Sequence, residues 1–113
     1  MIMENKDITV GILVNRNYEP SVLAYQYIQE VLRKTGIKTV TLSLGDILEN
    51  NVGCDTLFNV YYGEIGDGGI VSGLLEKQGI SFVGNTQYTC SLMMNKIVSK
   101  LKFIHHKCMT PPF

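Results

Sequence analysis

Between Asp55 and Lys100 the sequence carries a pattern that few folds accommodate. An apolar run, Thr56 to Val60, leads into the glycine loop Gly63-Glu64-Ile65-Gly66-Asp67-Gly68-Gly69, then an amphipathic segment from Ile70 to Gln78, Gly79, the short run Ile80-Ser81-Phe82-Val83, and Gly84. Read physically, this is a strand, a glycine turn, a helix stopped by Gly79 and a second strand. Such a unit pairs its two strands in parallel, with the loop after the first strand at their carboxyl ends. That edge is where open α/β sheets bind ligands.

The first half repeats the theme. Ile8 to Val14 is a nearly continuous apolar run, which implies burial on both faces, as in a central parallel strand. Asn15-Arg16-Asn17-Tyr18-Glu19-Pro20 follows as a polar loop. Pro20 and Ser21 suit the opening of a helix, Val22, Tyr25, Ile28, Val31 and Leu32 supply its apolar face, and Gly36 suits its end. Thr39 to Leu44 alternates Thr and Ser with Val40, Leu42 and Leu44, which predicts a strand with one face less buried. Asp46 is expected to cap a short turn through Ile47 and Leu48, and Asp67 to cap the helix from Ile70. Thr86 is expected to cap a helix carrying Tyr88, Leu92 and Met93. Asn95 can open the next, with Ile97, Val98, Leu101 and Ile104 on its apolar face. The expected architecture is α/β: a small doubly wound, mostly parallel sheet with helices on both faces, built as one domain over residues 1–113.

The balance of charge narrows the function. Ten basic and ten acidic residues cancel, so nothing in the charge favours nucleic acid or an anionic membrane surface. No apolar run approaches the roughly 20 residues of a membrane helix, and Met1 to Lys6 lacks the apolar core of a signal peptide, so a cytoplasmic protein is expected. Cys54, Cys90 and Cys108 are odd in number and far apart, which predicts free thiols. The ending Thr110-Pro111-Pro112-Phe113 is suited to passing the chain into another domain, so a longer parent is expected.

Several motifs look chemical and have plainer readings. The glycine loop meets neither the P-loop nor the dinucleotide fingerprint; its glycines read first as permitting a tight turn and a close helix approach, with ligand contact as the alternative. His105, His106 and Cys108 lack a second cluster to complete four metal ligands, and adjacent histidines point about 100° apart on a helix, so a helix-end surface is expected. Tyr25, Tyr27 and Tyr88 read as packing residues, since no basic groove accompanies them.

Phe58-Asn59, Gly63, Gly66, Asp67-Gly68, Gly73-Leu74-Leu75-Glu76, Gly79-Ile80, Gly84, Met94-Asn95-Lys96, Lys100 and Pro111-Pro112 together resemble the amino-terminal, Rossmann-like pre-ATP-grasp domain of D-alanine:D-alanine ligases. The resemblance spans nearly the whole chain and is stronger from Asp55 onward. It implies one wall of a substrate pocket in an ATP-grasp ligase of peptidoglycan biosynthesis, where a carboxylate is phosphorylated and then attacked by an amine. ATP and magnesium are implied for the full-length parent, held mainly by later domains, with none bound by this chain alone. Amino acids are the implied substrates, and a homodimer is left open.

Carried over residue by residue, the resemblance implies a substrate side at Asn17, Glu19, Ser21, Tyr62 and Gly63, and an ATP contact at Lys96. Glu19 and Ser21 equally suit a dipole partner and a cap, and Lys96 equally suits an exposed lysine in a first helical turn. Two departures stand out. Asn17 occupies the position of the family's substrate-orienting glutamate, and Tyr62 that of a histidine; neither carries the charge or titration of the residue it replaces. Standard D-alanine dimer synthesis is thereby in doubt. Two functions are open: the amino-terminal domain of a carboxylate-amine ligase with altered substrate choice, or a non-catalytic α/β module, a split-ligase subunit or decayed ligase, acting through a partner chain.

Overall fold

Ile12 and Leu13 are both fully buried at successive positions, so the strand that carries them is covered on both faces. In the computed structural model, which describes residues 8–109, that strand is β1 (Thr9–Val14). It is followed by α1 (Glu19–Lys34), β2 (Lys38–Leu42), α2 (Leu44–Leu48), β3 (Thr56–Val60), α3 (Glu64–Asp67), α4 (Ile70–Lys77), β4 (Phe82–Val83), α5 (Gln87–Met94) and α6 (Lys96–His105). The sheet order is β2-β1-β3-β4 and every pairing is parallel, with Gly11 opposite both Val40 and Leu57. The Met1 to Lys6 start and the Thr110 to Phe113 ending lie outside the described residues.

The alternation of strand residues explains the two layers. On β2, Thr41 faces α1, where its hydroxyl oxygen lies 2.7 Å from that of Tyr25, while Leu42 turns to the opposite face. There Leu42 joins Leu13, Ile47, Leu57, Val71 and Leu75 in one apolar cluster under α2 and α4. Gly11 belongs to the same face, where a Cβ would stand 2.6 Å from Leu42 and 3.2 Å from Leu57. The expected doubly wound α/β architecture is therefore the observed one.

Local departures from expectation have physical reasons. Ser43, not Asp46, is the N-cap of α2: its hydroxyl accepts from the Asp46 N–H while the Asp46 carboxylate accepts from the Ser43 N–H, a reciprocal capping box. Asp67 does not cap α4, since it ends a helical turn of its own and its carboxylate accepts from the Gly63 N–H at 3.3 Å. The run from Ile80 to Val83 pairs only at Phe82 and Val83. Val31 is exposed, and so are Tyr27 and Tyr88, which are not packing residues within the described chain. On α6 most of the expected apolar face points outward, with Ile97 64% exposed, Leu101 55% and Ile104 52%, and Val98 alone of the four is partly buried. The helix turns Ser99 inward instead, because its hydroxyl donates to the Met93 carbonyl at 3.1 Å and fastens α6 to the end of α5.

One buried hydroxyl joins the two halves of the sheet at its carboxyl end. Ser21, placed in the first turn of α1 after Pro20, accepts from the Asn15 N–H at 2.9 Å and donates to the Val60 carbonyl. It is 0% exposed, so the hydroxyl itself is shut from water. It is not the helix cap expected from sequence; that place belongs to Tyr18, whose side chain makes no capping bond. In Ser21→Ala the Val60 carbonyl keeps the Tyr62 N–H at 2.8 Å while the part-buried Asn15 N–H loses its partner, so the change should cost about 1 kcal/mol, a fall in Tm on the order of 4 °C in thermal unfolding. A change below about 0.5 kcal/mol, the range of an ordinary surface substitution, would show that the hydroxyl is not holding the strands together.

The cysteines offer a second check. All three are free thiols, Cys108 exposed and the others partly buried. Burial pushes the Cys54 thiol above its ordinary range, against a hydrogen bond from the Gly11 backbone and with the Asp55 charge adding to the rise. Because a raised pKa means less thiolate at a given pH, iodoacetamide at pH 8 should alkylate Cys108 first and Cys54 last, as read by peptide mass spectrometry. Equal rates would contradict the packing around Cys54.

Candidate functional site

The loops after β1 and β3 leave the sheet in opposite directions, one toward α1 and β2, the other toward α4 and β4. Divergent connections from adjacent parallel strands open a crevice at their carboxyl ends. Asn15 sets the shape of that edge. Its side-chain amide donates to the Tyr62 carbonyl at 2.9 Å, tying the two loops, and its Oδ1 accepts from the Asn17 N–H at 3.1 Å, folding the loop back on itself.

Two open clefts lie along this edge. The first, about 320 Å³, is walled by Asn15, Arg16 and Asn17 after β1, by Thr41 and Ser43 at the end of β2, and by Tyr61 after β3. The second, about 190 Å³, lies beyond Tyr61 and is lined by Asn59, Tyr62, Asp67, Asn85 and Thr89 among others. Tyr61 borders both. In the first cleft the Arg16 guanidinium carbon sits 5.8 Å from the centre of the Tyr25 ring, a cation–π distance, and the Tyr25 hydroxyl is held at Thr41. In the second, Asn59 accepts from the Tyr61 N–H at 3.2 Å and reaches Ser72 at 3.4 Å, which holds the end of β3 against α4.

The glycine loop serves geometry first. A Cβ on Gly66 would fall 1.5 Å from the Tyr61 carbonyl oxygen, so no side chain fits there. Gly69 has φ +96° where the chain enters α4. This closeness of α3 to β3 brings Asp67 and Tyr62 to one cleft.

The residues singled out from sequence are only partly brought together. Asn17 is exposed in the first cleft, and Tyr62, 38% exposed, borders the second, on neighbouring loops of one sheet edge. Gly63 adjoins them, beside Asn15 and Tyr18. Glu19 is exposed in the first turn of α1, near the positive end of that helix dipole. Ser21 is shut away, with its hydroxyl given to the backbone, where it holds the loops after β1 and β3. Lys96 lies in neither cleft; it stands exposed at the start of α6, beside a groove with Met93, Ser99, Lys100 and Phe103. His105 and His106 meet edge to face at 5.0 Å on the end of α6. Among the described residues no three His, Cys, Asp or Glu side chains converge on one point.

Asn15, Arg16 and Tyr61 were not singled out from sequence. Asn15 had a legible signal, an asparagine placed directly after a buried strand and two residues before another polar residue, the spacing of an Asx turn. Arg16 and Tyr61 had none, because only the fold brings the ends of β1, β2 and β3 together.

Comparison with known proteins places this arrangement. No family model matches the chain. The D-alanine–D-alanine ligase of Bordetella pertussis is 30% identical over 100 residues, which is 84% of this chain and 31% of that protein. The ligase of Francisella philomiragia is 40% identical over 57 residues, 50% of this chain and 19% of that protein. The chain thus spans at most about a third of the length of the curated relatives it matches. Among solved structures, a Bacillus anthracis D-alanine–D-alanine ligase complexed with ATP matches at a TM-score of 0.73 and 22% identity, over 93% of this chain and 37% of that one. An Aeromonas hydrophila D-alanine–D-alanine ligase matches at 0.75 and 18% identity, over 94% of this chain and 49% of that one. At such identities the structures speak for the fold, and the sequence relatives speak for descent. With both in agreement over most of its length, the chain is a relative of the D-alanine–D-alanine ligase family and corresponds to that family's amino-terminal domain.

Proposed function

We propose that the chain forms the substrate-side wall of an ATP-dependent carboxylate-amine ligase and does not complete the reaction alone. The observation that carries this reading is the pair of polar loops at the sheet's switch point, tied by Asn15, which set Asn17 and Tyr62 on one edge. Both clefts there are open, so a second wall is needed to exclude water from an activated carboxylate. The described residues contribute position and enclosure. Ser21 and Asn15 lock the loops, Gly66 lets α3 close on β3, and the polar side chains of the edge orient a small substrate. ATP supplies the activating phosphate in this reading, and magnesium belongs to residues outside the described set. The setting is cytoplasmic, where amino acids and ATP are available.

The reading predicts that the purified chain, given ATP, magnesium and a panel of amino acids, releases phosphate at background rate. Turnover intrinsic to the chain would overturn it. Sequencing the reading frame beyond the codon for Phe113 is the complementary test, because a continuation bearing magnesium-binding carboxylates is expected, and a stop codon there would favour a non-catalytic module instead.

Asn17 removes the negative charge expected to pair with a substrate ammonium group. A charge-assisted hydrogen bond of this kind is worth roughly 1.5 to 3 kcal/mol when partly buried, or about one to two decades in rate or affinity. A full-length parent should therefore use D-alanine poorly, and Asn17→Glu combined with Tyr62→His should raise its kcat/KM for D-alanine dimer formation. Efficient dimer formation by the unaltered parent would show that neither departure matters.

A further inference from the structure

The first cleft contains one charged group whose role the loops do not explain. Arg16 follows Asn15 at the end of β1 and lines the cleft with Asn17, Thr41 and Ser43. Among the described residues it pairs with no carboxylate, and its recorded contact is the face of Tyr25. That ring is itself fastened, since its hydroxyl lies 2.7 Å from the Thr41 hydroxyl oxygen. An arginine laid on an anchored aromatic ring keeps its in-plane N–H donors available and loses less conformational freedom when they are used.

Two carboxylates must be weighed against it. Asp46 borders the same cleft, but one of its oxygens already accepts from the Ser43 N–H at 2.8 Å and the Ser43 hydroxyl at 3.0 Å. Its charge is directed to the start of its own helix. Glu19 lies in the first turn of α1 and does not line the cleft. Asn17, beside Arg16, is neutral. Among the described residues Arg16 is thus a cation on the cleft wall that makes no ion pair, in a place where the neighbouring position carries no negative charge to attract an ammonium group.

We infer that this cleft binds the carboxylate of a small molecule, with Arg16 as the anchoring donor and the Thr41 hydroxyl as a neighbouring polar contact. The inference deepens the proposed function and rests on it for the identity of the ligand as a substrate, although the binding itself belongs to the chain alone. In a carboxylate-amine ligase it would make the acid end of the substrate, rather than its amine, the feature read by this wall. The planar fork of arginine matches a carboxylate through two parallel hydrogen bonds, which a lysine cannot reproduce.

The experiment is an NMR titration of the isotopically labelled chain with acetate, inorganic phosphate and ethylammonium at constant ionic strength. Acetate should shift the amide signals of Arg16, Asn17 and Ser43 in a saturable way, and ethylammonium should not. Arg16→Gln should weaken the acetate response by about three- to tenfold, a discount from a buried pair because the group is exposed, and Arg16→Lys should restore only part of it. A tighter response to phosphate than to acetate would overturn the carboxylate assignment. Equal responses to acetate and ethylammonium, or an acetate response unchanged in Arg16→Gln, would overturn the site. The ligase reading is decided separately, since phosphate release and the reading frame beyond Phe113 do not depend on Arg16: acetate binding with a stop codon at that point would leave the cleft standing and favour the non-catalytic module over the ligase reading.

Discussion

Burial of β1 on both faces is the constraint from which the rest follows. A strand with Ile12 and Leu13 both shut from solvent needs a neighbour on each edge and a helix layer above and below. β2 and β3 take the two edges, α1 covers one face, and α2 with α4 covers the other. Right-handed crossovers then oblige the chain to leave β1 in one direction and β3 in the other. The cleft edge is therefore a consequence of how the core is closed.

That edge has to be held open yet ordered, and polar bonds rather than apolar packing do it. Ser21 joins the N–H of Asn15 to the carbonyl of Val60, and Asn15 in turn reaches the carbonyl of Tyr62. Both side chains satisfy backbone groups that no strand ladder can reach once β1 and β3 have diverged. Gly66 works on the other side, where the absence of a Cβ allows α3 to lie against the Tyr61 carbonyl. The positions of Arg16, Asn17 and Tyr62 thus rest together on a few hydrogen bonds.

The carboxyl-terminal helices show a different economy. α6 carries a regular apolar stripe, yet Ile97, Leu101 and Ile104 face outward while Ser99 faces α5. Periodicity identified the helix correctly and misplaced its inner face. An amphipathic stripe marks what a helix buries only when a complementary surface stands opposite, and among the described residues α6 packs chiefly on α5. Tyr27 and Tyr88 miss the interior for a related reason, since aromatic character favours burial without selecting a partner.

The amino-acid sequence by itself determined the alternating β/α order, the parallel sheet, the helix starts at Thr86 and Asn95 and the loops in which a site could lie. Those features are local: apolar runs, caps and glycine stops act within a few residues of one another. The resemblance to D-alanine–D-alanine ligases was legible for the same reason, through motifs strung along a short stretch. Tertiary structure alone decided that Ser21 is a buried joint, that Lys96 stands away from the clefts, and that Arg16 shares a wall with Thr41 and Tyr61. These depend on pairings between residues 29 and 46 positions apart, and no local pattern specifies such distances until parallel pairing sets the strand ends side by side.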